Sequence, residues 1–274
     1  MIHSRKPQFA FLSGMGVSIF GGLIGLGGAE FRLPILVGFF RFSTLLAVMI
    51  NKLTSLSTVI FAFVFRFYFI DTGNLFTHIG TVMPLIIGCM AGALLGAHYA
   101  CKLKESSLNV VIASILLLLA ISMISSTIFT VDFYHPNLTG LNLALMGFLA
   151  GIIIGVIAAV LGVAGGEFLI PTLILLYGFD MKVAGTLSLC VSLPTMLVAF
   201  ARFSRDKVFQ ELASHKKFII FMVFGSFVGA LIGAYALRYV HSEWLVLVLG
   251  VILMVSAVKV FLHTNKQAKS ISST

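Results

Sequence analysis

Residues 107–130 and 244–262 are two of many long apolar runs in this chain. Runs of about 20 residues match the hydrocarbon core of a bilayer. Inside lipid the backbone has no water to bond, so a spanning run of this kind must close its own hydrogen bonds as a helix. Composition leaves no soluble alternative. Of 274 residues, 59% are hydrophobic and only 10% are charged, against about 25% charged in a soluble domain. A chain this poor in charge cannot cover a water-facing surface, and the expected class is an all-α integral membrane protein.

The net charge of +9 is spread over basic residues lying between the apolar runs. That distribution sets membrane orientation and forms no patch for nucleic acid. Cys89, Cys101 and Cys190 lie in or beside apolar segments without metal spacing and read as packing residues. No Cys/His/carboxylate cluster and no phosphate-binding loop occurs in the sequence, so neither a metal nor a cofactor is expected. Arg5 and Lys6 followed by FAFLSGMGVSIFGGLIGL resemble a secretory signal. A removed signal, however, has no reason to match an internal segment, as this one does.

Shifted by 137 residues, the chain matches itself. Phe11, Leu12 and Gly14 fall on Phe148, Leu149 and Gly151; Gly25, Gly28, Glu30, Phe31 and Pro34 fall on Gly162, Gly165, Glu167, Phe168 and Pro171. GCMAGALLGA (88–97) falls on GSFVGALIGA (225–234), identical at six of ten positions, where chance gives roughly one in ten for so biased a composition. The reading is a cytoplasmic N-terminus (1–8), a first transmembrane repeat (9–130), a polar linker (131–140), a second repeat (141–263) and a cytoplasmic tail (264–274). Each repeat holds a glycine-rich helix (9–28 or 143–164), a short segment (33–41 or 169–178) and three longer helices. These are 44–66, 79–101 and 107–130, or 182–202, 216–238 and 243–263. About five segments per half, an odd number, inserts the second half upside down. The expected architecture is thus two inverted-topology repeats, with eight to ten transmembrane segments according to whether the short ones cross or re-enter.

Charge agrees with the inversion. With the N-terminus on one side, that side receives Arg5, Lys6, Arg41, Lys102, Lys104, Arg202, Arg205, Lys207, Lys216, Lys217, Lys259, Lys266 and Lys269. The other receives Arg32, Arg66, Lys182 and Arg238, and Lys52 falls inside a helix. Basic loops stay in the cytoplasm, which places both termini there.

Interrupted helices at corresponding places in an inverted repeat point to a transporter's binding site. Here the interruptions are IGLGGAEFRLP (24–34) and LGVAGGEFLIP (161–171). Glycine permits an unwound turn and close approach of a ligand to the backbone. The half-helix that follows, with Pro34 or Pro171 in or just after its first turn, presents free N–H groups and a positive dipole end to the interior. Two such ends facing each other suit an anion. Candidate binding residues are therefore Gly25, Gly27, Gly28, Glu30, Arg32 and Pro34 in the first half, and Gly162, Gly165, Gly166, Glu167 and Pro171 in the second. Asn51, Lys52, Thr54, Thr186, Ser188 and Ser192 in the third helices join them.

Each candidate has a plainer alternative. Glycines spaced by four, as in Gly88/Gly92/Gly96 and Gly225/Gly229/Gly233, are ordinarily helix-packing grooves. Glu30 and Glu167 either cap their helices or act as proton or gating sites, since intramembrane carboxylates are seldom idle. Arg32 is close enough in sequence to pair with Glu30. Lys52, opposite Leu189 of the second half, either snorkels to the membrane edge or supplies fixed positive charge. The hydroxyls could bond back to their own helices. His78 and His215 match across the halves and read as interfacial residues or proton sensors. Tyr68, Tyr99, Tyr239 and Trp244 fit aromatic belts, and Asp71 and Asp206 fit solvated loops.

The order GLGGAEFRLP, then GVAGGEFLIP, AGTLSL (184–189), and the pair GALLGA and GALIGA resembles the sulfite exporter TauE/SafE family, also called the toluene sulfonate uptake permease family, over residues 10–263. MINKLT (49–54) departs from its counterpart TLSLCV (186–191). The resemblance implies a cytoplasmic-membrane carrier of sulfur-containing anions such as sulfite, organosulfonates or thiosulfate. The expected function is a secondary transporter, chiefly an exporter, working by alternating access. Proton- or sodium-coupled uptake through Glu30 or Glu167 is the alternative, and an anion channel or a membrane-embedded lipid enzyme stands further off. Expected partners are a small anionic substrate, the lipid bilayer, a coupling proton or sodium ion and, as an open alternative, a second copy of the chain as homodimer. No nucleic acid is expected, and the protein is not expected to be an enzyme.

Overall fold

The computed structural model describes residues 7–69, 75–99, 105–129, 140–161, 163–203, 212 and 214–271. No strand occurs among them. The first half comprises α1 (Pro7–Phe20, prolonged by a π turn Gly21–Gly25), α2 (Ala29–Pro34, prolonged by a π turn Ile35–Phe39), α3 (Thr44–Phe69), α4 (Leu75–Tyr99) and α5 (Glu105–Phe129). The second half repeats the series as α6 (Leu141–Leu161), α7 (Gly166–Tyr177), α8 (Met181–Phe203), α9 (Lys216–Ala236) and α10 (Ser242–Ile271). Among the described residues, six helices are long and apolar enough to cross a membrane: α1 with its π turn, α3, α4, α6, α8 and α9. The described apolar stretches of α5 and α10 are shorter, Ile112–Ser125 and Ser242–Val258. Exposed residues such as Val64, Ile87, Leu118 and Phe224 turn the apolar surface outward, as a lipid-facing protein requires. The protein is a multi-pass membrane protein. Most of the expected linker, 131–139, lies outside the described residues, and α10 runs on as helix to Ile271 rather than ending at 263.

The short segments do not cross. α7 has 12 residues, about 18 Å at 1.5 Å per residue, against a hydrocarbon core of about 30 Å. α2 and its π turn are no longer. α2 and its π turn lead the chain back toward the start of α1, with Phe39 against Phe9 at 5.9 Å. Both half-helices end in the same backbone device. The N–H of Phe42 bonds the carbonyl of Leu36 at 3.1 Å and that of Phe179 bonds Leu173 at 3.3 Å, each closing seven residues around a left-handed one, a wider relative of the usual glycine C-cap. The left-handed residue is Gly178 (φ 71°) in the second half but Arg41 (φ 54°) in the first. Asp180 then caps α8, its Oδ2 accepting the N–H of Lys182 at 3.0 Å.

The halves are interleaved. α1 packs on α9, α4 on α6, and α5 on α10, so each of these six helices finds its main partner in the other repeat. The glycines explain why. A Cβ at Gly225, Gly229 or Gly233 would strike the backbone of Phe11, Met15 and Ile19 in turn; one at Gly88, Gly92 or Gly96 would strike Phe148, Ile152 and Val156. Both series rise in step, so both pairs are parallel, with backbones in direct contact as small-residue grooves allow. α3 joins the α1–α9 pair in the same sense, from Phe42 beside His215 to Phe69 beside Tyr235. The result is two bundles, α1–α2–α3–α9 and α4–α6–α7–α8, that meet chiefly along α3 and α8. α3 and α8 run antiparallel. Arg66, near the end of α3, bonds residues in the first turns of α8, while the middles of both helices meet at the breaks. Because α3 and α8 are equivalent helices, this opposition is what the inverted repeat requires.

Candidate functional site

Both breaks lie in the interior and touch. Gly28 (φ 69°) and Gly165 (φ 76°) cap α2 and α7 in the left-handed region that glycine tolerates without strain. Gly27 lies against Ala164, with Val59 and Ser55 of mid-α3 behind it; Gly166 lies against Leu26 and the Gly25 carbonyl. Ser188 donates to that Gly25 carbonyl at 2.8 Å across the halves. Ser192, halfway along α8, donates to the Ala164 carbonyl at 3.0 Å, and Asn51 Nδ2 to the Ala29 carbonyl at 3.0 Å. Three side chains of the third helices therefore satisfy carbonyls left over by the unwound turns. Gly162 lies outside the described residues.

Arg32 is fully buried, and its guanidinium donates to neutral hydroxyls: Nη1 to Ser55 at 2.8 Å, Nη2 to Thr58 at 3.0 Å and Ser18 at 3.2 Å. Thr58 gives its own proton to the Thr54 carbonyl at 2.9 Å, so its oxygen is free to accept. Two expectations are thereby corrected. Arg32 does not spend these bonds on Glu30, and it is no loop charge on the second side. It sits on the inner face of α2, where the ring of hydroxyls draws it in. Lys52 is only 9% exposed, so it stays in the interior instead of snorkelling out. The corresponding second-half positions are Leu169 and Leu189, which makes the positive charge a property of the first break alone.

The acids separate. Glu167 is buried and accepts a hydrogen bond from Ser256 of α10 at 2.9 Å, whereas Glu30 is half-buried. Thr54 turns its hydroxyl back to the Ile50 carbonyl at 2.7 Å, a local bond. Pro34 points outward while Pro171 is buried. Gly25, Gly27, Gly166, Asn51, Ser188 and Ser192 thus meet where the breaks touch, while Pro34 faces away and Gly162 is not described.

Arg66 is the residue that sequence reasoning misplaced. Assigned to an outer loop, it is fully buried inside α3, because the apolar run continues to Phe69. Its Nε donates to Thr186 at 3.2 Å and its Nη2 to the Lys182 carbonyl at 2.9 Å. Ser18, Ser55, Thr58 and Ser256 were also missed. The spacing of Asn51, Ser55 and Thr58 on one helix face was the available signal.

The histidines behave as a symmetric pair. His215 meets Phe42 edge-on at 5.2 Å, and His78 meets Phe179 at 4.8 Å. Phe42 and Phe179 occupy matching positions, so each half-helix is anchored at its outer end on the other repeat. Tyr68, Tyr239 and Trp244 are exposed, as belt residues are. A cavity of about 310 Å³ beside the first break, lined by Val17, Phe20, Phe31, Ile35 and Ile252 among others, is apolar and offers nothing to an anion. Cys89 is buried among core residues.

No curated protein and no solved structure matches the chain. The family described as Sulfite exporter TauE/SafE matches residues 9–260. That span takes in both breaks, both glycine ridges and the α3–α8 seam, and the chain belongs to the sulfite exporter TauE/SafE family of membrane transporters.

Proposed function

We propose that the protein is a secondary carrier that moves small sulfur-containing anions, of the sulfite, organosulfonate or thiosulfate class, outward across the cytoplasmic membrane with both termini inside. One observation carries the reading. At the contact of the two breaks a fully buried guanidinium, Arg32, is held among the described residues by hydroxyls alone. A buried charge is costly unless paired, and a bound anion supplies the missing charge. Lys52 adds a second cation to the same half, and the N-terminal amides of α7 add donors that want a negative partner.

The interleaved packing supports alternating access. The glycine-locked pairs make each bundle stiff, so the compliant surface is the seam of hydroxyls and glycines between α3 and α8. Rocking along that seam opens the breaks to one side and then the other. With the cell interior negative, each exported negative charge gains about 2.3 kcal/mol per 100 mV, enough to drive export without a coupled ion. The test is efflux of labelled sulfite and methanesulfonate from proteoliposomes. An imposed potential, negative on the substrate side, accelerates efflux; folded protein that moves no sulfur anion sinks the reading. Glu167, buried and held by Ser256, supports a second reading, proton-coupled uptake. In that case a proton gradient drives accumulation, and Glu167→Gln abolishes it.

A further inference from the structure

We infer that Arg66 is a second anion-binding position, across the first break from Arg32, and that its bonds to α8 are the latch an arriving oxyanion releases. The inference rests on the anion-carrier reading. Arg66 stands eight residues beyond Thr58 on α3, about 12 Å along the axis. The two guanidiniums bracket one unwound turn: Arg32 Nη2 lies near Gly28, and Arg66 Nη1 lies against Gly25. A side chain at Gly25 would approach Arg66 Nη1 to 2.7 Å, and one at Gly185 would approach Nη2 to 2.7 Å and Nη1 to 2.9 Å. Both bundles therefore leave side-chain space vacant so that the guanidinium can lie between their backbones.

What Arg66 touches there is neutral. Its Nε and Nη2 bond the Thr186 hydroxyl and the Lys182 carbonyl, and its Nη1, fully buried, has no hydrogen-bond partner among the described residues. A plain brace between helices needs no charge; a neutral amide would hold Thr186 and a carbonyl without the penalty of burying a cation. A planar fork with an unused edge is suited to an anion that presents two oxygens on one atom. Sulfite and sulfonates do so and a halide does not. The two bonds that Arg66 makes both cross the α3–α8 seam. An oxyanion that takes the fork competes with Thr186 and Lys182, which loosens that end of the seam at the moment the site fills.

The test measures binding of sulfite, methanesulfonate and chloride to the purified full chain in nanodiscs, with melting temperature and proteoliposome flux alongside. Arg66→Gln is expected to weaken sulfite binding at least tenfold and to flatten the preference over chloride. Arg66→Lys recovers binding in part. Thr186→Val, which removes the competitor and keeps the charge, binds sulfite more tightly than the wild type and alters flux. The proposal is overturned if Arg66→Gln or Thr186→Val only lowers the melting temperature and leaves sulfite affinity and flux unchanged. If Arg66→Gln does not fold, Thr186→Val decides alone by the same two outcomes. If Arg32→Gln loses binding and Arg66→Gln does not, this inference falls and the carrier reading stands. If the wild type binds and moves no sulfur oxyanion, the carrier reading itself has failed.

Discussion

At the scale of single residues, the chemistry is concentrated in an asymmetry between halves that share their breaks and glycine ridges. Arg32, Lys52 and Arg66 face Leu169, Leu189 and Phe203 at the matching positions. The breaks and glycine ridges are repeated, and these buried charges are not. Arg32 is the sharpest test. Its hydrogen bonds to Ser18, Ser55 and Thr58 show a cation held by dipoles, and bonds to charged groups are worth about 1.5–3 kcal/mol. Arg32→Gln should therefore weaken sulfite affinity about 10- to 100-fold, read by calorimetry. Arg32→Lys, which keeps the charge and loses the fork, should fall between. A wild-type affinity in Arg32→Gln would remove this residue from the site.

At the scale of elements, glycine plays two separable roles. In the breaks it supplies a left-handed turn; in α4 and α9 it lets two helices touch along their backbones. One helix holds both a test and its control. A Cβ at Gly92 would run into the Ile152 carbonyl, whereas at Gly80, on the same α4, it would meet nothing within 4 Å. Gly92→Ala should cost about 1–3 kcal/mol, as overpacking does, seen as a lower melting temperature in detergent. Gly80→Ala should be neutral or stabilising by up to about 1 kcal/mol from helix propensity. Equal effects at both sites would mean that the α4–α6 contact is not set by these glycines. The half-helices are legible in the sequence at their starts, where GLGG and GVAGG signal the turn. Their C-terminal ends were less so, because Arg41 stands in a left-handed position where the second half has Gly178.

At the scale of the whole molecule, the interleaving of the repeats decides what can move. Neither half is a rigid body by itself, because α1 is locked to α9 and α4 to α6. Orientation is tested at the two ends of α9, where Lys217 and His241 are exposed. In a chain whose three native cysteines are replaced by serine, Lys217→Cys should react with an impermeant maleimide only from the cytoplasmic face, and His241→Cys only from outside. The reverse pattern, or labelling of both from one face, would refute the orientation argued from basic residues. Arg32 and Arg66 were counted in that argument as loop charges, yet both are buried. Their removal leaves Lys182 and Arg238 on the second side and sharpens the bias.

The sequence by itself determined the class, the repeat and the location of the breaks. Hydrophobic length, glycine permissiveness and a self-match are properties of a stretch of chain and need no partner to be read. Only the tertiary structure decided which charges are inside. Arg66 and Thr186 are 120 residues apart, and nothing near either one announces the other. A cation beside apolar residues reads as a membrane-edge anchor until the antiparallel packing of α3 on α8 brings a hydroxyl, a carbonyl and two glycines around it. Burial and hydrogen-bond partners are set by surfaces from distant parts of the chain, so the site was visible as a pair of kinks long before its guanidiniums could be placed in it.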